Sequence, residues 1–505
     1  MVPSPPEYQR LLEIMGEVDD LKRTLAVLNW DEKTKMPASG APARAQHKAT
    51  LERLIHQRMA STELETLLDK LTGFAEGLDP DSDEKGILRV TRRLQRQATA
   101  LPEDLVIGFS QARSRAFTSW VEAREAKDYS MFIASIKEIV DYSQRSAHAL
   151  SGGKGDPRQA LLELSEPGMA LEQVETIFRE LRDFLVPLSH QIFERQDAVD
   201  DSLRYLNYPV EEQWAVGMDA VRYIGYRLDE GRADTTVHPF ATSFAVKDTR
   251  ITTRVYPDDV AACLFALLHE AGHAQYMQGL PERFQRTPLA DGASMGMHES
   301  QSRLWENLVG RSRPFWNRFF PRMQRQFPQQ LAKATPETMY QTFNRVKPSL
   351  IRVEADEVTY NLHIIIRYEL QKEVFEGTLA LEDLADAWNA KFQSYLGIEP
   401  PDDKVGVLQD VHFSGGFGIS FVSYTLGNVI NAQLYNAAVD TTAGLADAMQ
   451  EGDFSGLLQW TRDYVHCHGN KYTPAELVKK AAGQQLGTDA FCHYIKKKFT
   501  ELYQL

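Results

Sequence analysis

Hydrophobic residues recur along most of this chain at intervals of three and four, the spacing of one face of a helix. Leu11, Leu12, Met15, Val18, Leu21 and Leu25 set the pattern, with Asp19, Lys22 and Arg23 between them, until Trp30, Asp31 and Pro37 interrupt it. The same spacing predicts helices over residues 43–71, 84–98, 103–126, 128–150 and 171–193. The cluster of Gly152, Gly153, Gly155 and Pro157 separates the last two. The first 235 residues or so therefore read as helical.

The period changes once. From His238 to Val255 the chain is rich in β-branched residues. Phe240, Thr242, Phe244 and Val246 alternate, as do Ile251, Thr253 and Val255, with Val246, Lys247 and Asp248 suited to a turn. This predicts a β-hairpin. Helical spacing then returns over residues 258–277, 298–310, 336–344, 351–373, 381–396, 425–437, 443–449, 456–465 and 474–482. There is no short repeat, low-complexity tract or Ser/Gly/Pro-rich linker. The expectation is a mainly α fold: one large helical domain over residues 1–505, with two lobes flanking a groove as a further option.

Composition narrows the classes of partner. The hydrophobic share is 43% and the charged share 25%, as in ordinary globular proteins. A net charge of −14 repels phosphate backbones and anionic membrane surfaces, so neither nucleic acid nor membrane is an expected partner. Cys263, Cys467 and Cys492 are too few and too scattered for a disulfide framework, which suggests a reducing compartment. The first residues show no secretory signal pattern, and no apolar run is long enough to span a bilayer. The expected location is the cytoplasm.

One segment carries distinctive chemistry: His269-Glu270-Ala271-Gly272-His273. Histidines four apart share one face of a helix, about one turn apart, and can hold one zinc ion at about 2.0–2.1 Å. Glu270 then points beside the metal, placed to take a proton from the attacking water. Gly272 lowers helix propensity by about 1 kcal/mol, and its small size would let another element pack closely. The plain alternative is a buried helix with two satisfied histidines. A catalytic zinc needs a third protein ligand. Glu299, in His298-Glu299-Ser300-Gln301, is the candidate; as a residue alone it could equally be a carboxylate at the start of a helix, favoured by the helix dipole.

An ordered series of motifs surrounds that helix. It runs His238-Pro239-Phe240, Asp248-Thr249-Arg250-Ile251-Thr252, His269 to His273, His298 to Gln301, Ile351-Arg352-Val353-Glu354-Ala355-Asp356, and Gly406-Val407-Leu408-Gln409-Asp410-Val411-His412-Phe413. Leu28-Asn29-Trp30-Asp31 with Met36, Pro37 and Gly40 precedes it. The set resembles the carboxypeptidase Taq family of zinc metallocarboxypeptidases over nearly the whole chain. Two places depart from the family pattern. Phe413 stands where the family usually has Trp, and Ile419 to Tyr424 replaces a typical G-Y-F-P-T-Y.

The resemblance implies a zincin-type helical fold with a long groove and a small sheet beside the zinc helix. It implies removal of single amino acids from peptides with a free C-terminus, in a homodimer. Zinc, with cobalt or manganese as substitutes, would be held by His269, His273 and Glu299. Glu270 would be the general base, and His412 and Tyr424 the donors to developing negative charge. Arg352 offers a planar fork for the terminal carboxylate; read alone, it is a helix-surface arginine paired with Glu354 or Asp356. Gln409, His238 and Arg250 are further substrate-binding candidates, and Arg250 could equally fix the hairpin. Asp356 and Asp410 are candidates to orient the ligating histidines. The rival readings are an endo-oligopeptidase or dipeptidyl carboxypeptidase on the same scaffold, and a non-catalytic helical zinc-binding protein.

Overall fold

The computed structural model describes residues 4–419 and 421–505, so Ser420, in the divergent Ile419 to Tyr424 segment, lies outside the described residues. The chain is mainly helical, with one small sheet. It divides into two compact units. The first combines the residues up to Thr99 with Asp201–Phe343 and Ile430–Gln485. The second combines Ala100–Asp200, Asn344–Val429 and Leu486–Leu505.

In the first unit the opening helix, Pro6–Thr34, buries Tyr8, Leu11, Met15 and Val18. These residues join Leu64, Leu68, Val246, Met277 and Phe284 in one apolar cluster. Burying each such side chain contributes roughly 1.5–3 kcal/mol, which ties the N-terminal helix to the region of the sheet and to the helix carrying His269 and His273. In the second unit, Leu171–Phe193 buries Val174, Phe178, Leu181 and Leu185. It packs on Tyr360–Phe375 and Leu384–Leu396. Phe178 meets Tyr368 edge to face, ring centroids 4.9 Å apart.

The hairpin forms where the alternation predicts it. Strand β2 (Ala241–Ala245) pairs antiparallel with β3 (Asp248–Thr253). A third strand, β1 (Ala233–Thr235), pairs parallel with β3, giving the order β1-β3-β2. Three residues are too few to show a period, which is why β1 escapes a pattern search. Thr252 ties two motifs together: its hydroxyl accepts from the Phe240 N–H at 2.8 Å and donates to the Phe240 carbonyl at 3.0 Å. The sheet lies on helix Val260–Gln278, where the Thr253 hydroxyl donates to the Cys263 carbonyl at 3.3 Å.

Several helices match their expected spans, Glu103–Ala126 and Leu171–Phe193 among them. Others differ for local reasons. The helix expected over 43–71 is two, Ala41–Met59 and Thr62–Lys70, because the Ser61 side chain accepts from the Leu64 N–H and caps the second. The span 351–373 is α-helical only from Tyr360, with a single 3-10 turn at Arg352–Glu354. Before Tyr360, the Asp356 carboxylate accepts from the N–H groups of Lys347, Val358 and Thr359, holding the chain in a turn. Asp489–Tyr503 is a final helix beyond those anticipated. No described helix is long and apolar enough to cross a membrane.

Candidate metal centre

Helix Val260–Gln278 starts at Asp259, whose carboxylate accepts from the Ala261 N–H, and Arg204 grips the same carboxylate at 2.7 and 2.8 Å. The helix is apolar around most of its girth. It buries Val260, Leu264, Leu267, Leu268, Ala271 and Ala274, and so has little freedom to turn. His269 and His273 emerge on one face, ring centroids 4.9 Å apart.

Gly272 lets a second helix, Met295–Arg303, come very close. A Cβ at Gly272 would lie 2.5 Å from the Gln301 carbonyl oxygen and 2.6 Å from Ser302 Cα. This approach brings Glu299 to the histidines. Its Oε2 stands 3.5 Å from His273 Nε2 and 3.8 Å from His269 Nε2. Atoms about 2.0–2.1 Å from a common centre in a tetrahedron are about 3.4 Å apart, so the three side chains fit one metal ion. Their ligand atoms all lie within 4.8 Å of one another, the one such His/Cys/Asp/Glu group among the described residues. The Glu299 carboxylate is a ligand candidate by position, and it sits in the second turn of its helix, past the N-terminal amides.

The surroundings orient the set. His269 Nδ1 donates to Glu306 Oε2 at 2.9 Å, which leaves Nε2 for a metal. Glu306 belongs to a π-helical turn, Leu304–Val309, that follows Met295–Arg303 directly, with the Gly310 N–H reaching back to the Trp305 carbonyl. Arg303 bridges the two carboxylates, 3.0 Å from Glu299 and 2.9 Å from Glu306, and Arg311 adds a contact to Glu306 at 3.3 Å. Gln301 is pinned by His466, whose Nε2 is 2.9 Å from Gln301 Oε1. So the carboxylate on the His269 ring is Glu306. Asp356 is occupied by backbone amides, and Asp410 by cations.

The electrostatics follow from burial and from this pairing. Burial works against ionising Glu299 and Glu306, but His269 and Arg303 hold both well below the usual carboxylate range. Burial lowers His273 to about 4, so it is neutral at physiological pH. For His269 burial pulls the same way, yet the Glu299 and Glu306 carboxylates outweigh it and raise its pKa. Glu270 is buried beside the candidate ligands, and burial pushes its carboxyl up to about 7.

The second unit gathers another group of candidates. Arg352 is buried in a short 3-10 turn. This sets aside the alternative of a helix-surface arginine paired with Glu354 or Asp356. Its Nε donates to Asp410 at 2.7 Å, its Nη1 to the Tyr360 hydroxyl at 3.1 Å, and its backbone N–H to Gln409 Oε1 at 2.8 Å. His412 Nδ1 pairs with the other Asp410 oxygen. Tyr424 packs against the Arg352 guanidinium, 5.2 Å from its ring centroid. Phe413 is buried under Arg367 and stacks on Phe417, so the change from the family's Trp falls in a supporting position.

Back in the first unit, Arg250 forks onto Asp248 at 2.9 and 3.0 Å and lies over the Trp30 and Phe244 rings. Those contacts favour the hairpin-fixing role over substrate contact. His238 is exposed between β1 and β2.

Known proteins can now be set beside this geometry. The model of the carboxypeptidase Taq (M32) metallopeptidases matches residues 10–499. The chain belongs to that family. It is 41% identical to thermostable carboxypeptidase 1 of Thermus thermophilus, covering 98% of this chain and 99% of that one. It is 34% identical to carboxypeptidase 1 of Bacillus subtilis, covering 98% and 99%. The crystal structure of the M32 carboxypeptidase from Deinococcus radiodurans R1 superposes with a TM-score of 0.95 at 41% identity, over 99% of this chain and all of that one. The chain is thus a metallocarboxypeptidase of the carboxypeptidase Taq family, a metal-dependent hydrolase of peptides.

Glu306, Arg303, Arg311 and Arg367 were not singled out from the sequence. A signal for the first two was present: Glu299, Arg303 and Glu306 are spaced four and three apart, one face of a helix, beside buried Leu304, Trp305 and Leu308. Arg367 follows Ile364, Ile365 and Ile366, a charge at the end of an apolar run.

Proposed function

We propose that this enzyme uses zinc to release single amino acids from the C-termini of peptides. The observation that carries the reading is the near-tetrahedral spacing of His269, His273 and Glu299 with Glu270 buried beside them. Two imidazoles and a carboxylate are the donor set of many catalytic zinc sites, with cobalt and manganese as substitutes. A bound ion of this kind supplies Lewis-acid polarisation of the scissile carbonyl and makes water acidic enough to deprotonate near neutral pH. Glu270 accepts the proton of the attacking water and returns it to the leaving amine. Glu306, through His269 Nδ1, holds that imidazole in the tautomer that leaves Nε2 free.

Recognition of the free terminal carboxylate is assigned to Arg352, supported by Gln409 on its backbone and Asp410 on its Nε. His412 and Tyr424 are the donors assigned to developing negative charge. His238 belongs to the substrate-binding side of the reading, while Arg250, forked onto Asp248, holds the hairpin. The strand order leaves β1 and β2 as sheet edges, where an extended peptide can add by backbone pairing. The family match across residues 10–499 supports one catalytic domain, and the family resemblance supports a homodimer. The three unpaired cysteines and the acidic charge support a cytoplasmic enzyme without nucleic-acid or membrane partners.

A timed peptide digest followed by mass spectrometry tests the reading. A ladder of one-residue losses from the C-terminus is expected, abolished by a chelator, restored by zinc and suppressed by C-terminal amidation. Internal cuts, or losses of two residues at a time, would replace it with the endo-oligopeptidase or dipeptidyl carboxypeptidase reading.

A further inference from the structure

Arg367 is a buried charge with few partners. It is 1% exposed, on helix Tyr360–Phe375. Its Nη2 is 3.6 Å from Asp410 Oδ2, and among the described residues its Nε and Nη1 have no hydrogen-bond partner. Its guanidinium lies between the Phe421 ring, 4.3 Å away, and the Phe413 ring, 4.5 Å away. Aromatic faces stabilise a cation, more so away from water. Even so, a desolvated guanidinium is costly, and a buried charge at such a place calls for a function. Burial lowers its pKa to about 10, which leaves it charged at neutral pH.

The charge count explains what it does. Asp410 Oδ2 receives Arg352 Nε at 2.7 Å and faces Arg367 Nη2 at 3.6 Å. With Asp410 Oδ1 taken by His412 Nδ1, Oδ2 serves two guanidiniums, and the two arginines with their one aspartate carry a net positive charge. With Arg352 alone, Asp410 would cancel it. Arg367 is too buried to meet a ligand itself. Arg352 is the more accessible of the two and keeps donors beyond those given to Asp410 and Tyr360, since a guanidinium has five. The surplus charge is thus expressed at Arg352. Phe421 also lies 5.4 Å from Arg352, so one ring braces both cations.

We propose that Arg367 is a positioning residue for carboxylate recognition: by sharing Asp410 from behind, it leaves Arg352 with uncancelled charge for the single negative charge of a peptide's free C-terminus. The inference rests on the assignment of Arg352 as the carboxylate-binding residue and extends it to a residue that never touches substrate.

The test compares a hydrolysis-resistant peptide analogue bearing a free C-terminal carboxylate with its C-terminal amide, each as a competitive inhibitor of the metal-loaded full chain. The unsubstituted enzyme is expected to prefer the carboxylate by roughly tenfold or more, the scale of a charge-assisted hydrogen bond. Arg367→Met and Arg367→Gln should bring that ratio towards one by weakening carboxylate binding, with amide binding little changed. Arg367→Lys, which keeps the charge, should recover part of the preference. Two neutral replacements of different polarity guard against one that does not fold, and a purely structural role would weaken both inhibitors alike. A folded neutral variant that keeps the full preference overturns the role of Arg367 and leaves Arg352 standing. No preference in the unsubstituted enzyme overturns both.

Discussion

Two titrating residues at the metal centre have opposite tasks, and each makes a measurable claim. On the proposed mechanism Glu270 accepts the proton of the attacking water, and Glu270→Gln keeps the size of the side chain while removing that acceptor. That variant should bind metal and melt as the unsubstituted enzyme does, yet lose activity by roughly 10²–10⁴-fold. Turnover within a few-fold of normal would defeat the assignment. His269 competes differently. In the metal-free protein Glu299 and Glu306 raise its pKa above the ordinary histidine value, whereas His273 is held neutral by burial. Below its raised pKa, His269 carries a proton that an incoming ion must displace. Metal affinity should therefore climb as pH rises through that range and level off above it, with about one proton released per ion bound on the acid side. Calorimetric titration in buffers of different ionisation enthalpy measures that proton count. A count near zero at pH 6 would show that His269 is already neutral.

At the scale of elements, the decisive event is the meeting of two helices at Gly272. Alanine there would raise helix propensity by about 1 kcal/mol, since glycine is poor in a helix interior. The new methyl, however, would lie within 2.6 Å of backbone atoms at Gln301 and Ser302, which cannot swing aside as a side chain can. Overpacking of this kind typically costs about 1–3 kcal/mol and outweighs the propensity gain. Gly272→Ala should lower the melting temperature and also weaken metal binding, because Glu299 moves with its helix. Thermal denaturation with a chelator-competition assay checks both; an unchanged metal affinity would show that the close approach does not set the site. The π-helical turn has a related consequence. It carries Glu306, Arg303 joins Glu306 to Glu299, and the carboxylates on the two sides of the site are held by one arginine.

For the whole molecule, a metal held by His269, His273 and Glu299 would add its binding energy to the stability of the first unit. The three candidate ligands come from two helices, Val260–Gln278 and Met295–Arg303, which one bound ion would tie together. An ion present at about a hundred times its Kd adds about 2.7 kcal/mol to the folded state. Dialysis against a chelator should therefore lower the temperature of thermal unfolding, and stoichiometric zinc should restore it. Identical calorimetric profiles with and without metal would mean that the folded chain does not hold the ion. Much of this architecture was legible beforehand. The helical spacing found Leu171–Phe193 and Glu103–Ala126 residue for residue, and the alternation around Phe240 and Ile251 found the hairpin. Less legible were elements whose form depends on partners: strand β1, too short to have a period, and the turn before Tyr360, held by one aspartate.

The sequence by itself determined the family, the helical class and the metal motif, because these depend on local spacing: four residues between histidines, three and four between apolar positions, and an ordered set of short motifs. Only the tertiary structure decided which carboxylates stand against the two histidines, and what Arg352 touches. Glu299 comes within reach because Gly272 admits another backbone, and Glu306 because a π turn aims it at His269. Arg352 is buried against Asp410, 58 residues further along, with Arg367 behind it. Such pairings depend on where distant segments pack, and the charge balance they create belongs to the assembled cluster and to no single motif.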